Sequence, residues 1–146
     1  MESKPGFSGF GLEEVSVEGE NPACGRGVCL INHFQGGVSC PYGQSDPSDP
    51  RCFLPNSEQP VTLPVEPQKA DRRGELAVTC SCRCDGPDDG PFCLCPRDTK
   101  CLPVVPDLGF PEGKSIAGSY CIAPHASYVG FAAGECDIAI ENCGPP

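Results

Sequence analysis

Six cysteines fall between Cys80 and Cys101, in the run LAVTCSCRCDGPDDGPFCLCPRDTKC that spans residues 76–101. Thiols at that density support two chemistries, disulfide crosslinking and ligation of a soft metal. Paired ligands of a structural zinc site usually have about two to four residues between them. Here Cys82-x-Cys84 and Cys93-x-Cys95 have one, and no CxxC occurs in the chain. That absence removes the thioredoxin-type redox motif and covalent c-type haem, and the spaced runs that hold iron–sulfur clusters are missing too. Disulfides are the expectation. The alternative is a thiolate site for zinc or iron built from Cys82, Cys84, Cys93 and Cys95.

The remaining cysteines are Cys24, Cys29, Cys40, Cys52, Cys121, Cys136 and Cys143, which makes 13 in 146 residues. Such a frequency signals a disulfide scaffold, because a short chain with few large apolar residues cannot offset its ordering entropy by burial alone. The count is odd, so one thiol is free, joined to another chain, or a ligand. Cys143, three residues from the last one given, is the expected odd member and a candidate for an intermolecular bridge.

Other reactive groups are few. His33 sits beside a turn and His125 follows Pro124, and both read as structural or solvent-facing imidazoles. A Cys–His nucleophile needs an activated free thiol beside an imidazole, and the sequence does not single one out. A small enzyme with one activated Cys is therefore the third reading. Asp85, Asp88 and Asp89 crowd a Gly-Pro turn and are weak calcium candidates, but the EF-hand spacing is absent. Turn formation accounts for them more simply. No phosphate-binding glycine loop occurs. No cofactor, catalytic set or resident metal is expected.

The chain carries a formal net charge of −10, which disfavours nucleic acid and anionic membrane surfaces as partners. It has 18 Gly and 18 Pro, and such punctuation leaves room for few long helices. No run reaches the roughly 18 apolar residues of a membrane span. The fold class expected is a small disulfide-rich domain, mostly irregular, with short antiparallel strands and hairpins and little helix. Disulfides imply an oxidising compartment: extracellular, cell-surface or periplasmic. Met1–Leu12 lacks the apolar stretch of a secretory leader, so a processed or engineered start, or another export route, is expected.

Residues 1–23 form an acidic, cysteine-free arm, in which Phe7 and Phe10 could anchor to a neighbouring molecule. A brief strand is expected over Leu12, Val15 and Val17. Residues 24–146 form the stapled domain, with possible lobes 24–52 and 75–146 joined by a proline-rich strap, 53–74. The strap reads as an extended surface connection. Gly27–Phe34 reads as a strand entering a turn, returning through Gln35-Gly36-Gly37 to Val38-Ser39-Cys40. From Glu75 to Asp85 the chain alternates strictly, placing Leu76, Val78, Cys80, Cys82 and Cys84 on one face of a strand. Phe92–Cys95 could pair back, which would set Cys82 opposite Cys95 and Cys84 opposite Cys93. Ser115–Ile122 reads as a further strand, and Glu135–Cys143 as a short helical turn or clipped loop.

The segment Cys93-Leu-Cys95-Pro-Arg-Asp-Thr-Lys-Cys101 resembles the closing CxCPxGxxC part of EGF-like modules, without the six-cysteine order or the Gly of the full module. The style of the chain is similar to that of secreted cysteine-rich bacterial proteins. Neither resemblance implies a function. The functional expectation is a non-catalytic, secreted or surface-exposed structural or interaction protein. It would be a subunit of a larger assembly, with protein partners or self-assembly.

Overall fold

The computed structural model describes residues 2–4, 6–41, 43, 52–69, 72–113, 115–128 and 135–136. It is a small fold of short antiparallel strands with almost no helix, held by five disulfides among the described residues. Two compact units interleave along the chain. One is made from the described parts of Met1–Glu14, His33–Ala77 and Val129–Pro146, the other from Val15–Asn32 and Val78–Tyr128. The expected arm boundary after residue 23 therefore falls inside the second unit.

The second unit holds two three-stranded sheets. In the first, β1 (Val15–Glu18), β2 (Val28–Asn32) and β4 (Val78–Ser81) run in the order β1-β2-β4. Glu18 faces Cys29 across β1 and β2, and Cys29 faces Cys80 across β2 and β4. The second sheet orders β5 (Arg83–Asp85), β7 (Gly118–Ile122) and β6 (Lys100–Val105) as β5-β7-β6. Here Cys101 faces Cys121. The central strands β2 and β7 each end in three consecutive buried residues, Leu30-Ile31-Asn32 and Tyr120-Cys121-Ile122. A strand covered on both faces loses the in-out alternation that an edge strand keeps. Leu30, Tyr120, Ile122 and Ala126 form the buried core, with Val15, Val17, Val28 and Leu102 packed around them.

The alternating run 75–85 is not one strand. Glu75–Ala77 belong to a single helical turn, α1 (Gly74–Ala77), and the strand that follows is split at Cys82. β4 pairs with β2 and β5 pairs with β7, so the chain changes sheets at this residue. Two bonds hold the change. Ser81 Oγ donates to the Cys121 carbonyl at 2.8 Å, and the Cys121 amide donates to the Cys82 carbonyl at 3.1 Å. Residues 92–95 do not return as a strand. Their one backbone bond to β5 runs from the Cys93 amide to the Arg83 carbonyl, at 2.9 Å.

Gly118 opens β7 at φ 136, a conformation that L side chains rarely adopt, and a Cβ there would run into the Asp85 carbonyl. Gly118→Ala is expected to lower the stability of this unit by about 2–3 kcal/mol, read by urea denaturation with the bridges intact. A loss under about 0.5 kcal/mol would mean that the β5–β7 approach is looser than described.

The first unit is built around Phe10 and Phe34, both fully buried. The Phe10 amide donates to the Gly36 carbonyl at 2.7 Å, and the Gly36 amide donates back to the Phe10 carbonyl at 2.9 Å. Phe7 packs edge-on against Phe10, with ring centroids 4.9 Å apart. Glu2 is buried as well, and its carboxylate accepts from the backbone amides of Val38 and Ser39. Phe10 is thus anchored within its own chain, and Phe7 packs on it. Two backbone bonds and a buried ring fix Phe10.

The expected return strand at Val38–Cys40 is a tight turn, bridged only between Gly37 and Cys40. The strap is less extended than its prolines suggest. Cys52–Val61 folds back on itself through Leu54 amide to Gln59 carbonyl and Val61 amide to Cys52 carbonyl bonds, both 2.8 Å. Val61, Val65 and Gln68 are buried, so the segment contributes to the core. Gln68 and Lys69 form β3, which pairs with β8 (Glu135–Cys136). Glu135 and Cys136 are therefore strand and not helix, and the rest of that expected element lies outside the described residues.

Candidate functional site: the sulfur cluster and the unpaired thiol

The five bridges are Cys24–Cys80, Cys40–Cys52, Cys82–Cys93, Cys84–Cys101 and Cys95–Cys121. The expected pairs Cys82–Cys95 and Cys84–Cys93 are not formed. The reason is the partner choice of β5. Because β7 takes its open edge, residues 92–95 run past it without a ladder, and Cys95 reaches Cys121 on β7. Cys84 then meets Cys101 at the start of β6. Cys101 and Cys121 face each other in the β6–β7 register, yet each is bridged elsewhere. The three bridges crosslink all three strands of the sheet and the loop 86–99.

Their sulfurs are packed together. Cys121 Sγ lies 3.8 Å from Cys82 Sγ and 3.6 Å from Cys93 Sγ. Cys82, Cys93 and Cys121 come within 4.8 Å of one another, and so do Cys84, Cys95 and Cys121. These are the two groups of three or more potential metal ligands found among the described residues. Cys121 belongs to both, a role that nothing in its sequence position signals. The sulfurs are already bonded in pairs, and a disulfide sulfur is not the thiolate that a metal takes.

Asp85, Asp88 and Asp89 do not converge as a calcium cage. Asp85 Oδ1 accepts from the Gly86 amide at 2.9 Å. Asp88 Oδ1 accepts from Arg83 Nη2 at 2.6 Å. Arg83 also donates to the Ala117 carbonyl at 3.2 Å and lies over the Phe92 ring, 5.2 Å from its centroid. Asp85 and Asp88 hold the loop that carries Phe92 and Cys93. His33 Nδ1 lies 3.0 Å from the Leu12 carbonyl, and the His33 carbonyl accepts from Arg72 Nε at 3.3 Å. His125 is exposed in a short 3-10 turn.

Cys29, in the middle of β2, is an unpaired thiol; the side chain of Cys136 is not described. Cys143 lies outside the described residues. Burial pushes the Cys29 thiol above its ordinary pKa, and the Glu18 carboxylate across the strand pushes it further. Both act against the thiolate, the form that reacts. Glu18→Gln removes one of the two, so it should lower the Cys29 pKa and speed its alkylation at any pH below that value. The check is iodoacetamide labelling of the native protein against pH. An unchanged profile would mean that Glu18 does not face the thiol.

Among the described residues no helix is long and apolar enough to cross a membrane. No family model matches the chain, and neither a curated protein nor a solved structure matches it.

Proposed function

We propose that the protein is a non-catalytic structural or interaction module, secreted or surface-exposed, that works as a subunit of a larger assembly. The observation that carries this reading is the way the bridged loops display large apolar side chains. Phe92 and Leu94 flank Cys93, which is bonded to β5's neighbour Cys82, and Leu94 is 96% exposed. Leu108, Phe110 and Ile116 lie between the bridged Cys101 and Cys121 and are exposed as well. A loop already fixed by crosslinks loses little further entropy when it docks, so apolar anchors on it favour association. The disulfides suit an oxidising, extracellular or periplasmic location.

The test is the oxidised protein in sedimentation, compared with Leu94→Asp/Phe110→Asp. The expected result is concentration-dependent association that the substitutions abolish, with the bridges unchanged. Wild type and variant that both stay monomeric at high concentration would contradict self-assembly. The second reading is a soft-metal thiolate protein centred on residues 80–101, in which the clustered sulfurs would bind as thiolates with their bridges reduced. Stoichiometric zinc in the protein as isolated would support it over the first.

A further inference from the structure

We propose that Cys24, Cys29 and Cys80 form a thiol–disulfide exchange set, in which the Cys29 thiol displaces Cys24 from Cys80 and passes the free thiol to the surface turn at Cys24. The strand register sets Cys29 opposite Cys80, whose sulfur is bonded to Cys24. Cys29 is the direct partner of Cys80 in the antiparallel β2–β4 pair, so both side chains leave the sheet on one face. Cβ atoms of such a pair stand about 4.5–5.5 Å apart. Their Cα atoms are about 4.5 or 5.5 Å apart, depending on the hydrogen-bonding type of the pair. Both spacings lie within the roughly 4.4–6.8 Å that a disulfide spans. A disulfide draws its Cβ atoms to about 3.5–4.5 Å, so a Cys29–Cys80 bridge forms with a modest local approach of the two strands.

The step is balanced within the chain. The Cys29 thiolate attacks Cys80 Sγ, the Cys29–Cys80 bond forms and the Cys24–Cys80 bond breaks. The electron pair leaves on Cys24 Sγ, which takes up the proton that Cys29 gave to solvent. Nothing is oxidised or reduced overall. The attacked sulfur is accessible, since Cys80 is exposed. The leaving residue closes a short 3-10 turn, Pro22–Cys24, and is followed by the exposed Gly25 and Arg26.

Across the strands, Cys29 is faced by the Glu18 carboxylate on β1 and by Cys80 on β4. Burial, and then Glu18, raise the Cys29 pKa, so exchange quickens as the pH rises. Once at Cys24, the thiol can exchange with a disulfide on another molecule, releasing that molecule's thiol. The chain would then be attached covalently with no added oxidant. This holds whether or not the assembly reading above is correct.

Peptide mapping without reduction tests it. The native protein is incubated at mildly alkaline pH with iodoacetamide, quenched in acid and digested with trypsin, which separates Cys24 from Cys29 at Arg26. The expected result is label on Cys24 as well as Cys29, with a Cys29–Cys80 linked peptide. Label on Cys24 should exceed that in Cys29→Ser by about tenfold or more. Label confined to Cys29 at every pH would overturn the proposal. In Cys24→Ser the expected product is a Cys29–Cys80 bridge, with neither thiol free. Two free thiols at Cys29 and Cys80 in that variant would overturn it equally. Should the variant not fold, the mapping of the native chain decides alone.

Discussion

Reduction of the bridges under native conditions unfolds the unit made of Val15–Asn32 and Val78–Tyr128. Four of the five described disulfides lie in it, closing separations of 56, 11, 17 and 26 residues. On the chain-entropy account, the longest contributes about 4 kcal/mol and the others about 3 kcal/mol each. A domain of this size has a total stability of about 5–15 kcal/mol. The buried apolar residues that remain besides Cys121 are Leu30, Ile31, Ala117, Tyr120, Ile122 and Ala126, too few to hold two three-stranded sheets without crosslinks. Far-ultraviolet circular dichroism and proteolysis, with and without a phosphine reductant, provide the check. A reduced, alkylated chain that kept its sheet signal and resisted protease would show that burial, not crosslinking, carries the fold.

Tyr120→Ala is expected to cost about 3–5 kcal/mol with every bridge intact. Tyr120 is the largest fully buried side chain, at the centre of β7 and of the core. Its hydroxyl donates to the Ile116 carbonyl at 2.6 Å, so truncation leaves a cavity and an unmatched acceptor together. Tyr120→Phe separates the two contributions and should cost about 1 kcal/mol. Urea denaturation under oxidising conditions measures both. Equal losses in the two variants would mean that the hydrogen bond outweighs the packing. The hydroxyl also has a raised pKa, chiefly from burial, with Arg83 opposing. It therefore stays a donor through the neutral range.

What could be read from the sequence follows from where each element sits. β1 and the span Ser115–Ile122 were legible because apolar residues are bounded by turn signals, and β2 because Val28–Asn32 ends at Gln35-Gly36-Gly37. β6 was hidden by Pro103. A proline removes a ladder donor, but β6 is an edge strand, and its register shifts between Pro103 and Val105. The alternation over 75–85 misled because period two states which residues share a face, not which sheet that face belongs to. The change of sheet at Cys82 depends on Ser81 and Cys121, 40 residues apart.

For the same reason the pairings could not be read. Cys95 has Cys84 and Cys93 close in sequence, and its partner is Cys121 on a strand that competes for β5. The free thiol at Cys29 had no local signal either. It lies in an apolar run that suits a bridged or an unbridged cysteine equally, and only the fold shows that Cys80, opposite it on β4, is bonded to Cys24.

The central claim is that the ten bridged cysteines act as covalent staples and not as metal ligands. Intact mass before and after reduction, with thiol counting in denaturant and metal analysis of the same sample, tests it most directly. The structure predicts one thiol among Cys29 and the ten bridged cysteines, a gain of ten hydrogens from the five described bridges on reduction, and no stoichiometric metal. Native thiols at Cys82, Cys84, Cys93, Cys95 and Cys121, together with bound zinc or iron, would contradict it.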